Sequence, residues 1–305
     1  MLQPIVSVTH AHIAHVVASE LANTNSGAEF RLLDVGCGNG QLLLALYRHL
    51  PALTGRSFHL SGFDVSDSRV QRSDFFSSTK LLLKEEAPNV DWSDRLRLTE
   101  TDAPWPYADD SVDIVVTNQV LEHVRDLDHY MAELARVLKP GGFSINLFPV
   151  RNLFVEGHVG APAAHRISSD DVRRSYLTCF ARLGLARLGP MRRTRGLSPK
   201  TYGETRSTYV ASQTAYRSFR QLAESAHSRD LSASYRWTPQ FFGLKLGYVL
   251  GRETGWIYRR GRMSNLFDFL SFPFLSAVSS VTITFRNVKA YDPDAQHAGH
   301  YSSVG

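Results

Sequence analysis

The stretch 31-RLLDVGCGNGQLLLALYRHL-50 joins two apolar runs through a turn that contains three glycines. The first run, Phe30–Val35, is short and ends at glycine, which predicts a buried parallel strand. The second run has leucines at helical spacing between positions 42 and 50, and Pro51 is expected to end that helix. Glycine between the runs lets the backbone turn sharply and lets a ligand approach without meeting a Cβ. We therefore expect a ligand at this turn.

Strand-like and helix-like segments alternate through the rest of residues 1–150. The pattern predicts strands at 57–65, 95–102, 111–118 and 143–150, with helices at 66–86 and 126–142. This alternation is typical of an α/β fold with a parallel sheet and right-handed crossovers. Such sheets bind ligands at the carboxyl ends of their strands. Asp64 ends the second strand, where a carboxylate can accept hydrogen bonds from ribose hydroxyls, so the pattern predicts a ligand that contains a nucleoside.

Four motifs, in order, resemble those of class I S-adenosylmethionine-dependent methyltransferases. They are "LLDVGCGNG", "GFDVS", "TDAPWPYADDSVDIVVTNQVLEHVRD" and "LARVLKPGGFSINLFP", and they cover about residues 28–149. The resemblance implies a Rossmann-like fold, with a seven-stranded, mostly parallel sheet between helices, and S-adenosylmethionine as cofactor. A nicotinamide oxidoreductase would show the glycine spacing G-x-G-x-x-G, which this turn lacks. A catalytically silent module that only binds the cofactor would be expected to lose the glycines or Asp64.

Carried over residue by residue, the resemblance implies a cofactor site. The glycine turn would pass beneath the methionine and ribose groups, Asp34 would bind the amino group, and Asp64 would take both ribose hydroxyls. Asp102 would accept from the adenine amino group, unless it only caps a turn. The expected cofactor-binding residues are Asp34, Gly36, Cys37, Gly38, Gly40, Asp64, Val65, Asp102, Ala103, Asn118 and Gln119. The family's Leu-Pro-Phe turn is replaced by "APWPY", so Trp105 is expected to pack on the adenine edge differently.

Three histidines are candidates for a catalytic base. A methyl group on sulfonium is already a good electrophile, so the protein mainly aligns the acceptor and removes its proton. His123 follows the fourth strand, and the loop 148-FPVRNLFVEGHVGAPAAHRI-167 holds His158 and His165. Histidine titrates near neutral pH, although each of the three could be structural. A metal set of Glu156, His158 and His165 lacks tight ligand spacing, so no metal site is expected.

Four regions are expected along the chain. They are an N-terminal helical segment (1–29), the cofactor-binding core (30–149), a substrate-binding elaboration that completes the same fold (150–290) and a flexible tail (291–305). Within the elaboration the pattern predicts a helix at 168–184, a mobile basic connector at 188–207, a helix at 209–231, and strands at 232–237 and 279–288.

Charge is distributed unevenly along the chain. Residues 1–150 hold 12 Lys and Arg against 19 Asp and Glu, whereas residues 151–262 hold 20 against 7. Arginine binds carboxylate and phosphate in a bidentate way, although an arginine-rich genome would leave the same excess. The stretch 237–274 combines aromatic residues with arginine. Three interpretations of this stretch stay open. It forms helices that cover the sheet, an amphipathic surface for a membrane or a lipid-linked acceptor, or a surface that binds nucleic acid.

The expected function is methyl transfer from S-adenosylmethionine to a hydroxyl, or an amine, of a small-molecule, natural-product or glycan acceptor, including anionic and lipid-linked acceptors. RNA methylation is the alternative, but no separate RNA-binding module is recognisable, so a nucleic-acid partner is disfavoured. Two cysteines, no basic-apolar leader and no apolar run of membrane-spanning length favour a cytoplasmic location, with peripheral membrane contact left open.

Overall fold

One seven-stranded sheet organises the chain. The computed structural model describes residues 7–22, 29–66, 74–188, 196–252, 255–258 and 265–289. The strands are β1 (Phe30–Val35), β2 (Phe58–Val65), β3 (Leu96–Thr99), β4 (Val112–Asn118), β5 (Leu138–Phe148), β6 (Leu231–Ser234) and β7 (Val281–Asn287). They lie in the order β3-β2-β1-β4-β5-β7-β6, and β7 runs antiparallel to both of its neighbours. The expected Rossmann-like, mostly parallel fold is confirmed.

Helices cover both faces of this sheet. They are α1 (Val8–Leu21), α2 (Gln41–Thr54), α3 (Phe75–Glu86), α4 (Leu127–Val137), α5 (Asp170–Arg182), α6 (Pro199–Gln213), α7 (Phe219–His227), α8 (Thr238–Val249) and α9 (Asn265–Val278). Successive residues of a strand point to opposite faces, so β4 contributes to two separate cores. Ile114 and Val116 pack with α1 and α2, whereas Val115 packs with α4. This burial on both faces explains why the central strands are almost wholly apolar.

The chain order places the ligand edge between β1 and its neighbours. β1 pairs in parallel with β2 on one side and with β4 on the other. The sheet order reverses between β1 and β4, and ligands of α/β sheets bind at such a switch point. The carboxyl ends of these three strands carry Asp34, Asp64 and Asn118.

Pro51 does not end α2, contrary to the expectation. The helix continues to Thr54 and ends at Gly55, whose N–H donates to the Pro51 carbonyl at 2.8 Å and whose φ of +67° is left-handed. Proline removes one helical hydrogen bond, but Leu50 is fully buried just before it. Packing of that turn and the glycine cap keep the last residues helical.

The region predicted as a basic connector and one long helix is instead two helices. Residues 189–195 of the connector lie outside the described part of the chain, but Pro199–Gln213 is helical. Ser198 caps it by accepting from the Thr201 N–H at 3.2 Å, and proline at the first helical position is compatible with a helix start. After Gln213 the chain is extended, and α7 starts at a capping box formed by Ser218 and Gln221.

Other element ends differ by a few residues from the predictions. β3 ends at Thr99 instead of position 102. α4 ends at Val137 instead of position 142, and β5 begins at Leu138 instead of position 143. The predicted sixth strand is shorter, Leu231–Ser234. The tail at 291–305 lies outside the described residues, and the regional boundaries and the cytoplasmic location stay predictions. Within the described ranges, no helix has the length and apolar character needed to cross a membrane.

Candidate active site

The glycine turn at the end of β1 needs glycine for its own conformation. Gly36, Gly38 and Gly40 have φ values of +73°, +50° and +74°, which L side chains rarely adopt. A Cβ on Gly36 would lie 2.6 Å from a methyl group of Val120, and one on Gly40 would lie 2.9 Å from a methyl group of Thr79. The space beside these two glycines is therefore taken by protein side chains.

Asp64 fixes this turn to β2. Its Oδ2 accepts from the Gly38 N–H at 2.7 Å, and its Oδ1 accepts from the Val65 N–H at 2.8 Å. Burial raises the pKa of Asp64, and the two N–H donors act in the opposite direction. One carboxylate thus holds both strand ends together, and any ribose hydroxyls would bind to the same two oxygens.

Two buried polar atoms at this edge have no hydrogen-bond partner in the described part of the chain. Asp34 is only 1% exposed, and its Oδ2 has no hydrogen-bond partner among the described residues. Burial, together with the nearby charge of Asp64, raises the pKa of Asp34 well above its usual range. The Oδ1 of Asn118 is likewise buried and unpartnered there, although its Nδ2 donates to Thr9 at 3.3 Å. Because buried polar groups are nearly always paired, these atoms indicate a polar ligand.

A cavity of about 670 Å³ lies above the turn. All of the predicted cofactor-binding residues except Gly40 line it, so the structure brings them together. Asp102 is exposed at the rim. Burial raises the pKa of Cys37, which keeps this thiol protonated and unreactive. Trp105 lines the cavity as a rigid wall, because its ring packs between Phe63 and Tyr130 with centroid distances of 5.3 and 5.2 Å.

Sequence reasoning missed part of the cavity wall. His10 on α1, His129 on α4, and Ser212 and Gln213 at the end of α6 all line the cavity. None of these lies in a recognisable motif, and the first part of α6, up to residue 207, was predicted as a connector. Only the packing of α1 and α6 over the sheet edge brings them to the site.

His123 is the predicted histidine that lines the cavity. The described lining includes neither His158 nor His165. The Nδ1 of His123 lies 2.6 Å from the Gln213 carbonyl oxygen, which can only accept, so we assign the proton to Nδ1 and the lone pair to Nε2. Burial lowers the pKa of His123, so the ring is neutral at pH 7. His165 packs on Tyr216 at a ring distance of 4.5 Å, and its Nε2 lies 3.0 Å from the Arg151 carbonyl.

A buried group of ionisable residues lies directly behind His123. We call Glu122, His123, Glu156, His158 and Tyr216 the Glu122 cluster. The rings of His123 and His158 meet edge to face at 5.1 Å. The Oε1 of Glu156 accepts hydrogen bonds from the Nδ1 of His158 at 2.8 Å and from the hydroxyl of Tyr216 at 2.5 Å. Burial raises the pKa of Glu156, but these hydrogen bonds outweigh it and lower the pKa overall.

Glu122 is the unusual member of this cluster. It is 1% exposed, and neither carboxylate oxygen has a hydrogen-bond partner among the described residues. Burial raises the pKa of Glu122 to about 8. The motif "LEHV" placed a glutamate beside His123, but nothing in the sequence indicated that its side chain would be buried without a partner.

Comparisons with known proteins agree with this geometry. Residues 33–146 match the sequence profile of a family described as a methyltransferase domain. The chain is 33% identical over 113 residues to the 27-O-demethylrifamycin SV methyltransferase of Amycolatopsis mediterranei (strain S699), a match that covers 37% of this chain and 36% of that protein. It is 35% identical over 131 residues to the ubiquinone biosynthesis O-methyltransferase of Saccharophagus degradans (strain 2-40), covering 42% and 48%.

Among solved structures, the chain is similar to geranyl diphosphate C-methyltransferase from Streptomyces coelicolor A3(2). The identity is 14%, the TM-score is 0.45, and the match covers 90% of this chain and 78% of that one. Residues 33–146 form a class I S-adenosylmethionine-dependent methyltransferase domain, so the resemblance and the cofactor expected from the motifs are confirmed. The chain spans less than half the length of the two curated relatives described above.

Proposed function

We propose that the protein transfers a methyl group from S-adenosylmethionine to a hydroxyl oxygen of a small-molecule acceptor. The observation that carries this proposal is the buried Oδ2 of Asp34, which belongs to the cavity lining and has no hydrogen-bond partner among the described residues. The cofactor's amino group is a cation that can donate to this oxygen, and its ribose hydroxyls can donate to Asp64. The residues present therefore fit the cofactor.

Transfer to oxygen is supported by two relatives. The names of the rifamycin and ubiquinone enzymes both specify methylation at oxygen. In the reaction a C–O bond forms at the acceptor while the C–S bond of the sulfonium breaks, which leaves S-adenosylhomocysteine. The acceptor hydroxyl must also lose its proton. Alignment of the two reactants and removal of this proton are the tasks of the protein.

In the protein without bound metal, we propose that His123 accepts this proton. Its ring is neutral, its Nδ1 is held by the Gln213 carbonyl, and Nε2 carries the lone pair that can accept. We expect His123→Asn to lower the turnover by about 100-fold, the low end of the range for general-base catalysis. Its dissociation constant for S-adenosylmethionine should change by less than about twofold, since no predicted cofactor contact is removed. An unchanged turnover would contradict the base assignment.

Binding and transfer can be tested separately. Calorimetry with S-adenosylmethionine and S-adenosylhomocysteine tests the cofactor site without any acceptor. A panel of catechols, polyketide alcohols and glycosides, with O-methylated counterparts as controls, then tests transfer by the appearance of S-adenosylhomocysteine and a product heavier by one CH₂. Failure to bind either cofactor form would refute the site. Products methylated only at nitrogen or carbon would refute the acceptor class.

Peripheral contact with a membrane is a second proposal, supported by an exposed apolar surface. The helices α8 and α9 pack on each other, and both expose large apolar side chains. These are Leu246, Tyr248, Val249, Leu250, Phe267, Phe269, Leu270, Phe274 and Val278. Patches of this kind mark surfaces that bind partners or lipid. Arg259, Arg260 and Arg262 of the same stretch lie outside the described residues.

Sedimentation with phosphatidylcholine and phosphatidylglycerol vesicles tests this surface. We expect Val249→Asp to reduce vesicle binding, because Val249 is 75% exposed on α8. The matched control is Leu81→Asp. Leu81 is an aliphatic residue that is 58% exposed on α3, a helix that does not belong to this surface. Equal loss in both variants, or no binding by the unmodified protein, would refute membrane contact.

A further inference from the structure

Three members of the Glu122 cluster converge on one point. One ligand-type atom from each of Glu122, His123 and His158 lies within 4.8 Å of the other two. Two imidazoles and one carboxylate form a donor set that binds divalent transition metals. The residues come from the loop after β4 and from the loop after β5, so the fold itself brings them together.

The hydrogen bonds leave one nitrogen of each ring available. The Nδ1 of His123 donates to the Gln213 carbonyl at 2.6 Å, and the Nδ1 of His158 donates to Glu156 at 2.8 Å. Nε2 on each ring then carries a lone pair. Histidines that bind metals almost always donate their other N–H to a carbonyl or a carboxylate, as both rings do in this cluster.

The carboxylate of Glu122 supports the same site independently, because neither of its oxygens has a hydrogen-bond partner among the described residues. An ionised carboxylate buried without a partner is strongly unfavourable. Its neighbour Glu156 is fully buried as well, but that carboxylate accepts from Tyr216, His158 and the Val159 N–H. When both are ionised, the two glutamates carry a formal charge of −2. A divalent cation beside Glu122 would supply its missing partner and balance this charge.

We infer that Glu122, His123 and His158 bind one divalent transition-metal ion of the Zn²⁺ class. This inference deepens the proposed function and rests on it only for the role of the ion. Three protein ligands leave a coordination position open, and His123 belongs to both the cluster and the cavity wall. A hydroxyl bound at that position would lose its proton to water more readily, because the cation stabilises the oxyanion. In the loaded protein His123 is then a ligand instead of the proton acceptor.

The site differs from the set that the sequence offered. The metal set weighed in the sequence was Glu156, His158 and His165. However, the Glu156 oxygens accept hydrogen bonds from protein donors, and the Nε2 of His165 lies beside the Arg151 carbonyl. Ligand atoms on a tetrahedral ion lie about 3.3 Å apart, as follows from Zn–N and Zn–O lengths of about 2.0–2.1 Å. Since the three ligand atoms lie up to 4.8 Å apart, binding requires their separations to shrink by up to about 1.5 Å.

The test uses the full chain, free of any affinity tag, after removal of metal with a chelator. We expect about one equivalent of Zn²⁺ or Co²⁺ to bind, with the visible absorption of tetrahedral Co²⁺. At about 100 times its dissociation constant the ion should raise the midpoint of thermal unfolding by about 5 °C. Glu122→Gln and His158→Asn should each weaken binding by more than about 100-fold, beyond the loss typical of outer-shell changes. His165→Asn, which removes a histidine from the same loop, should bind as the unmodified chain does.

Either of two outcomes would overturn the metal site. The first is binding of well below one equivalent of the ion, and the second is a Glu122→Gln variant that binds the ion as tightly as the unmodified chain. Misfolding does not confuse the result, because glutamine has the same shape as glutamic acid and no ionisable group, so Glu122→Gln should unfold at no lower a temperature when metal-free. If a chelated chain binds S-adenosylmethionine and turns over at the full rate, the ion has no role in the reaction, and the proposed function stays intact.

Discussion

Replacement of Asp64 by alanine tests the part of the site on which the cofactor depends. The carboxylate accepts from the Gly38 and Val65 N–H groups, and alanine leaves both donors without these acceptors. A donor left unsatisfied costs about 1–3 kcal/mol, so we expect the free energy of unfolding to fall by about 2–4 kcal/mol. The midpoint of thermal unfolding should then fall by about 3–6 °C for a chain of this length. The same change removes the ribose acceptor, and calorimetry should show S-adenosylmethionine binding at least about tenfold more weakly, or about 1.4 kcal/mol.

Asp102→Ala separates the two effects. Asp102 is exposed, so its loss should change the free energy of unfolding by less than about 0.5 kcal/mol. It lines the same cavity and is expected to accept from the adenine, so cofactor binding should still weaken. If Asp64→Ala keeps S-adenosylmethionine affinity within about twofold of the unmodified chain, the reasoning about this carboxylate is refuted.

Two further predictions test the glycine turn and the buried aspartate. Gly36→Ala should destabilise the chain by about 2 kcal/mol more than Gly55→Ala in urea unfolding, because both have left-handed φ values but only a Cβ at Gly36 meets another side chain; equal losses would contradict the overlap. The raised pKa of Asp34 means that the folded, ligand-free chain keeps a proton that the unfolded chain releases above about pH 4. The free energy of unfolding should therefore fall as the pH rises from about 4 through that raised pKa, and Asp34→Asn should make the fall shallower; identical pH profiles would contradict the burial of this charge.

Sequence reasoning found most of the sheet because its signals are local. The run from Phe30 to Val35 and the turn after it contain the strand, the glycines and the first acid in eleven residues. The cofactor site could be predicted for the same reason, since strand ends that are far apart in sequence meet at one edge of a parallel sheet. Asp64 shows the limit. Its place was predicted, but its hydrogen bond to the Gly38 N–H depends on the register between two strands.

Elements outside the motifs were harder to predict, and α6 shows why. The segment starting at Ser198 has a serine cap and a proline at the first helical position, which are start signals, but glycine and charge made it resemble a connector. Its helical conformation is stabilised by tertiary contacts. Gly203 packs so closely on α5 that a Cβ would lie 2.1 Å from the Thr178 hydroxyl oxygen. Local propensity does not contain that information.

The Glu122 cluster could not have been predicted, because its chemistry depends on what is missing. A sequence shows that Glu122 adjoins His123, but not that its carboxylate lies buried without a hydrogen-bond partner among the described residues. That state results from two independent long-range events. The loop at 156–159 brings its own glutamate, which accepts from Tyr216. The end of α6 offers the Gln213 carbonyl to His123, whereas the Ala215 N–H just beyond it donates to the backbone carbonyl of Glu122 and not to its side chain. A chain selected only for stability would lose so costly a carboxylate or give it a donor. Its presence beside two histidines with available lone pairs is best explained by a cation that completes the site.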